Sequence, residues 1–261
     1  MRDPGATSVV PVTNWRRAGI VLAVIVSALL LAFVVWASLA RPADPEALGA
    51  ALADPRVEVT LGSVIELRPA AGEPARAVVF YPGARVSHDA YVATWVPIVA
   101  ETDTLVLIPR MPLNLAIFGR GRAGPLIDDR PEVDGWWVGG HSLGGAMAAS
   151  WLGGRAPGEV DGLVLWASFS TGGAGLEDRD DLEVLSASGT RDGLATPADI
   201  DERRDLLPDD TTFVAIEGMN HAQFGRYGEQ ARDLPPRISD AEAQRRLTEA
   251  HVHVWASTAD R

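Results

Sequence analysis

Residues 136–145 read Trp136-Trp137-Val138-Gly139-Gly140-His141-Ser142-Leu143-Gly144-Gly145, with Ala146, Met147, Ala148 and Ala149 directly behind. A short apolar run enters Gly-x-Ser-x-Gly, and a small-residue helix leaves it. A serine hydroxyl is a poor nucleophile, so chemistry at such a residue needs a sharp turn that lifts it towards a base and towards oxyanion donors. The turn strains the backbone at the serine, and the glycines two before and two after it remove side chains that would collide. In a chain with 26 glycines the five-residue pattern alone carries little information. Its context, with a strand before, a helix after and Asp and His candidates downstream, carries much more.

Outward from this turn, apolar runs alternate with helical patterns from Arg56 onward, which predicts a mostly parallel sheet covered by helices. Expected strands are Val57–Leu61 and Val64–Leu67, a hairpin closed around Gly62-Ser63, then Ala77–Tyr81, Thr104–Ile108 and Trp136–Gly139. Gly162–Ser168, Leu182–Ser188 and Thr212–Glu217 complete the set. Helices are expected over His88–Thr102, from the serine turn to about Gly153-Gly154, over Pro197–Leu206 and from Asp240 to about Ala256. The gap between Gly162–Ser168 and Leu182–Ser188 is short and rich in Gly, Asp and Glu, so no lid domain and an open cleft are expected.

If the sheet is parallel, the carboxyl ends of its strands share one edge. Asp192, in Ser188-Gly189-Thr190-Arg191-Asp192-Gly193, and His221, in Met219-Asn220-His221-Ala222, both follow late strands and fall on the edge that carries Ser142. Ser142 as nucleophile, His221 as base and Asp192 as orienting acid is therefore the expected catalytic set. Asp-Gly is also a turn signal, and Glu217 is a distant second for the acid. His88, His141, His251 and His253 are the rival histidines, but only His221 follows a late strand. The oxyanion hole is expected from the Leu143 N–H and from the loop after Ala77–Tyr81. Pro82 has no N–H, so Ala84 ranks first there and Gly83 second. Tyr91, Met111, Asn114 and Phe224 are the expected cleft-lining residues, with Leu113, Phe169 and Met219 as further candidates.

Composition bounds the chemistry. With no cysteine, disulfides, thiolate nucleophiles and cysteine-ligated metals are excluded. All 23 basic residues are arginine, and the net charge is −12. Arg2, Arg16, Arg17 and Arg41 against Asp3 make the N-terminal part basic, so the remainder is strongly acidic. That argues against nucleic-acid binding through a general field.

Ala18–Ala40 carries no charge; at about 1.5 Å per residue such a stretch crosses a hydrocarbon core of roughly 30 Å. Arg16 and Arg17 before it favour a cytoplasmic N-terminus, which gives a tail 1–17, a membrane anchor 18–40, a linker or short helix 41–55 and an extracytoplasmic domain 56–261. The competing reading is a signal peptide cleaved near Ala40, after Ser38-Leu39-Ala40.

These residues together resemble the α/β-hydrolase superfamily, and more narrowly the compact bacterial α/β-hydrolase fold-5 group related to dienelactone hydrolase. The resemblance rests on Phe80-Tyr81-Pro82-Gly83, Met111-Pro112-Leu113-Asn114, Gly139–Gly145, Asp192-Gly193 and Asn220–Gly225. It implies an α/β-hydrolase fold over about 56–261, a Ser142–Asp192–His221 triad and a site without metal or cofactor. One position departs: dienelactone hydrolase has a cysteine nucleophile where this chain has Ser142, which speaks against that enzyme's lactone substrate. The expected activity is hydrolysis of small-molecule carboxylic esters or thioesters by a membrane-anchored serine enzyme. Acyl transfer, perhydrolysis or a non-catalytic envelope protein of the same fold are the alternatives.

Overall fold

The computed structural model describes residues 13–74 and 76–258. The chain divides into two units after Leu39. The first holds one helix, α1 (Thr13–Ser38), whose span Trp15–Ser38 has a mean hydropathy of 3.0 and is long and apolar enough to cross a membrane. Most of the expected tail 1–17 lies outside the described residues.

The second unit is built on an eight-stranded sheet, ordered β1-β2-β4-β3-β5-β6-β7-β8. Its central and right-hand strands are β3 (Arg76–Tyr81), β4 (Thr104–Pro109), β5 (Trp136–His141), β6 (Gly162–Trp166), β7 (Glu183–Gly189) and β8 (Thr212–Ile216), all parallel. Most are near-continuous apolar runs because helices cover both faces. β1 (Val57–Thr60) and β2 (Val64–Pro69) form an antiparallel hairpin at one edge. β2 is alternately half-buried and buried along its length, the pattern of a strand with one wet face.

Helix α3 (Val92–Thr102), entered through a 3-10 turn at His88–Tyr91, and α7 (Asp240–Thr258) flank the sheet. On their face Phe80, Trp95 and Trp166 form an aromatic core, Trp95 stacked on Trp166 at 4.7 Å between ring centres. On the other face α5 (Leu143–Leu152) packs Ala148, Ala149 and Leu152 against Val138 and Leu165. Chain order reverses at β3, which lies between β4 and β5. In open α/β sheets the crevice at such a switch point, beyond the strands' carboxyl ends, is where ligands bind.

Three regions differ from the sequence reading or refine it. Residues 41–55, expected as a linker or a short helix, hold a short helix and belong to the second unit. Asp44 caps α2 (Pro45–Leu52), the Arg41 N–H donates to Arg85 O at 2.7 Å, and the Asp44 N–H donates to Arg226 O at 2.6 Å. The expected helix Pro197–Leu206 breaks into α6 (Pro197–Asp201) and a 3-10 turn, Arg204–Leu206. Residues 110–135, which carry no element in the sequence reading, hold three 3-10 turns and a short helix, α4 (Ala123–Asp128). Between β6 and β7, residues 167–182 contain neither helix nor strand, so no cap domain stands over the sheet there.

Candidate active site

Ser142 occupies the single residue between β5 and α5, with φ 54° and ψ −125°. A non-glycine residue there costs of order 1–3 kcal/mol and persists only where its surroundings over-determine it. They do so here. The Ser142 N–H donates to Trp166 O at 2.9 Å, and its carbonyl accepts from Ser168 Oγ at 2.8 Å. A side chain on Gly140 would come within 2.6 Å of Tyr81 O, and one on Gly144 would overlap Tyr81 O outright. The motif's glycines are thus a packing requirement between the turn and the end of β3. A serine at a helix N-terminus ordinarily caps it; Ser142 makes no side-chain cap, and among the described residues its hydroxyl has no hydrogen-bond partner.

Asp192 follows β7 and is buried. Its Oδ1 accepts the N–H groups of Leu194 and Ala195, both at 2.8 Å, and its Oδ2 meets His221 Nδ1 at 2.8 Å. His221, also buried, follows β8. With Nδ1 held as a donor to the carboxylate, the other ring nitrogen is left unprotonated and available as a base. His221 lies beside the serine turn, its ring centre 4.4 Å from that of His141, the neighbour of Ser142. The rival histidines have other surroundings. His88 Nε2 meets Gly62 O at 2.9 Å, His251 is buried between Leu247 O and the Trp166 indole, and His253 is exposed on α7. Glu217 is exposed.

The two expected loop donors differ. The Gly83 N–H is committed to Tyr91 Oη at 2.9 Å, so the second-ranked candidate is occupied. Among the described residues the Ala84 N–H meets no acceptor. The Leu143 N–H opens α5, where no intrahelical acceptor exists and the helix dipole favours negative charge.

Three of the four lining expectations, Tyr91, Phe224 and Met111, require correction. Tyr91 and Phe224 have no exposed surface and belong to the core. Tyr91 is a buried pin: its hydroxyl accepts from Gly83 and meets His141 Nδ1 at 2.9 Å. That network assigns the Tyr91 proton to His141 Nδ1, so His141 carries its own proton on Nε2. Burial, and then the neighbouring His221, hold the His141 pKa well below the ordinary histidine value, so the ring is neutral. Met219 is likewise fully buried and Met111 nearly so, whereas Leu113, Asn114 and Phe169 are half-buried.

The sequence reading missed Asp233. Its Oδ1 accepts the Gly193 N–H at 3.0 Å and its Oδ2 accepts the Ala222 N–H at 2.9 Å. One carboxylate thus ties the residue after Asp192 to the residue after His221. Asn220 and Gln223 brace the same loop through reciprocal bonds of 3.2 Å between side-chain oxygens and backbone N–H groups. Asp233 lies 41 positions from Asp192 in a Pro-containing loop, and no local pattern announces it. Among the described residues no cluster of three or more His, Asp or Glu is placed to hold a metal ion.

A mostly parallel sheet with its order reversed at β3 and a strained serine turn at that crevice are the marks of the alpha/beta hydrolase fold. The chain belongs to the alpha/beta hydrolase family, whose profile matches residues 77–245. No curated protein matches it in sequence. Similar solved structures include the hyperthermophilic esterase of the archaeon Pyrobaculum calidifontis, 14% identical over 82% of this chain and 90% of that one, TM-score 0.58. A predicted CIB-like hydrolase from Thermoplasma acidophilum is 15% identical over 76% of this chain and 98% of that one, TM-score 0.54. A bacterial membrane phospholipase A is 13% identical over 92% and 99%, TM-score 0.56. At such identities the likeness is one of fold.

Proposed function

We propose that this protein is a serine hydrolase of carboxylic esters or thioesters, with Ser142 as nucleophile, His221 as general base and Asp192 as its orienting partner. The observation that carries the reading is the buried Asp192–His221 pair, 2.8 Å apart, packed against His141, the residue before a serine held at φ 54°. Ser142 Oγ attacks the ester carbonyl while His221 Nε2 takes its proton, a contact that closes when substrate enters. The tetrahedral oxyanion is stabilised by the N–H groups of Leu143 and Ala84, each donor being typically worth about 3 kcal/mol. Collapse breaks the bond to the alcohol, which leaves with the proton from His221. Water, deprotonated by the same ring, then releases the acid and regenerates Ser142.

Asp192 accepts three hydrogen bonds, so it is held as an acceptor and fixes the His221 tautomer. Asp233 acts as a positioning residue for both loops. Leu113, Asn114 and Phe169 border the acyl side of the cleft. Trp15–Ser38 anchors the enzyme in a membrane, Arg16 and Arg17 keep its N-terminus in the cytoplasm, and the catalytic domain lies outside. The membrane phospholipase A among the similar folds supports an ester substrate of the lipid class.

The test is turnover of a short-chain p-nitrophenyl ester by wild-type and Ser142→Ala protein. Activity is expected to vanish in the variant while the fold is kept. Equal rates in the two proteins would remove Ser142 from the reaction.

A further inference from the structure

Residues 110–122, Arg-Met-Pro-Leu-Asn-Leu-Ala-Ile-Phe-Gly-Arg-Gly-Arg, leave the carboxyl edge of the sheet after β4 and pack against α5. The Arg85 N–H donates to Asn114 O at 2.8 Å, joining this segment to the loop that carries Ala84. Tyr81 Oη donates to Arg120 O at 2.7 Å and accepts from the Ala123 N–H at 2.8 Å, so the excursion is pinned to the end of β3. Within it Ile117 and Phe118 are 56% and 53% exposed. Two adjacent large apolar side chains this exposed, on a pinned turn, call for a reason.

Charge supplies it. The chain as a whole is at −12, yet between Asp103 and Asp128 there is no acidic residue. That stretch carries Arg110, Arg120 and Arg122, all exposed. Two exposed apolar side chains on a segment that carries three exposed arginines and no carboxylate suit an anionic bilayer surface: the tips enter the headgroup boundary by roughly 5–10 Å while the guanidinium groups meet lipid phosphates.

We propose that the Ile117–Phe118 turn, with Arg110, Arg120 and Arg122, docks on the anionic membrane surface, so that the site opens onto the bilayer and its substrates are esters of bilayer lipids. The proposal rests on the serine-hydrolase and membrane-anchor reading above. A bilayer ester then enters laterally past Leu113 and Asn114 and need not cross water.

The absence of cysteine makes the test clean, because Ile117→Cys and Phe118→Cys each give one labelling site. Full-length protein carrying an environment-sensitive fluorophore at either position is reconstituted in phosphatidylcholine vesicles with and without phosphatidylglycerol. Val252→Cys on α7 is the control: it is 37% exposed and lies near Trp255, which packs on Trp137 early in β5, towards the opposite edge. Nitroxide-bearing lipid is expected to reduce emission at 117 and 118 by about half or more and to spare 252, as insertion at the headgroup boundary requires. Arg120→Glu with Arg122→Glu is expected to weaken that quenching most in the anionic vesicles. Quenching at 117 and 118 by aqueous iodide alone, equal to 252, would overturn the proposal, as would failure of the protein to float with vesicles. Soluble-ester turnover is measured in the same samples. Turnover lost with quenching intact sinks the hydrolase reading and leaves the docking face; turnover intact with no lipid quenching does the reverse.

Discussion

The two halves of the candidate site are held by different means. The serine turn is fixed by what is missing: Gly140 and Gly144 lack side chains that would strike Tyr81 O, and backbone bonds do the rest. The loops bearing Asp192 and His221 are fixed by what is present, namely carboxylate and carboxamide groups that gather backbone N–H donors. Exclusion tolerates no added atom. Side-chain clamping, part of it between near neighbours and part across 40 positions, fails by degrees.

The largest effect expected from breaking this contrast is on the clamped half. Asp192→Asn keeps the shape and can still accept from Leu194 and Ala195, but turns an amide N–H₂ towards His221 Nδ1 and enforces the wrong tautomer. A loss of about 10⁴-fold in kcat is expected, with the thermal midpoint nearly kept; steady-state kinetics beside calorimetry checks both. Gly144→Ala attacks the other half. Its Cβ has no room against Tyr81 O, so folding stability falls by about 3 kcal/mol or more, read as a lower urea midpoint.

Two buried histidines, His141 beside the site and His251 in the aromatic core, make stability depend on pH. Burial holds the His251 pKa down at about 4 from 6.5, and burial and His221 depress His141 in the same direction. Both rings bind protons more readily unfolded than folded, so stability is full above the unfolded value and declines as pH falls from 6.5 through about 4. His251 alone accounts for roughly 3 kcal/mol of that decline. Urea midpoints between pH 7 and pH 4 are expected to fall accordingly and to flatten in His251→Gln; a flat wild-type curve would contradict this.

Asp233→Asn should have the smallest effect. It loses one acceptor, lets the Gly193 and Ala222 loops drift, and lowers kcat by about 10- to 100-fold with KM little changed. A change in KM alone would make Asp233 a substrate contact and not a positioning residue.

The same contrast explains what was legible in the sequence. The glycines of the serine turn sit within five residues, and the buried parallel strands announce themselves as apolar runs, so β3 to β8 and the turn could be placed. Asp192 and His221 were readable as candidates because they follow strand ends. Tyr91 and Phe224 were misassigned to the cleft because an aromatic side chain looks alike in sequence whether it packs inward or lines a groove. Asp44 and Pro45 signal a helix start, but their docking partner Arg226 is 182 positions from Asp44, so the place of residues 41–55 was hidden. Asp233 was hidden for the same reason.

The most direct test of the central claim is labelling of full-length protein with a fluorophosphonate, followed by mapping of the adduct by peptide mass spectrometry. One phosphonyl group is expected, on Ser142, absent from Ser142→Ala and greatly slowed in His221→Ala. An adduct on another residue, or none on folded wild-type protein, would contradict it.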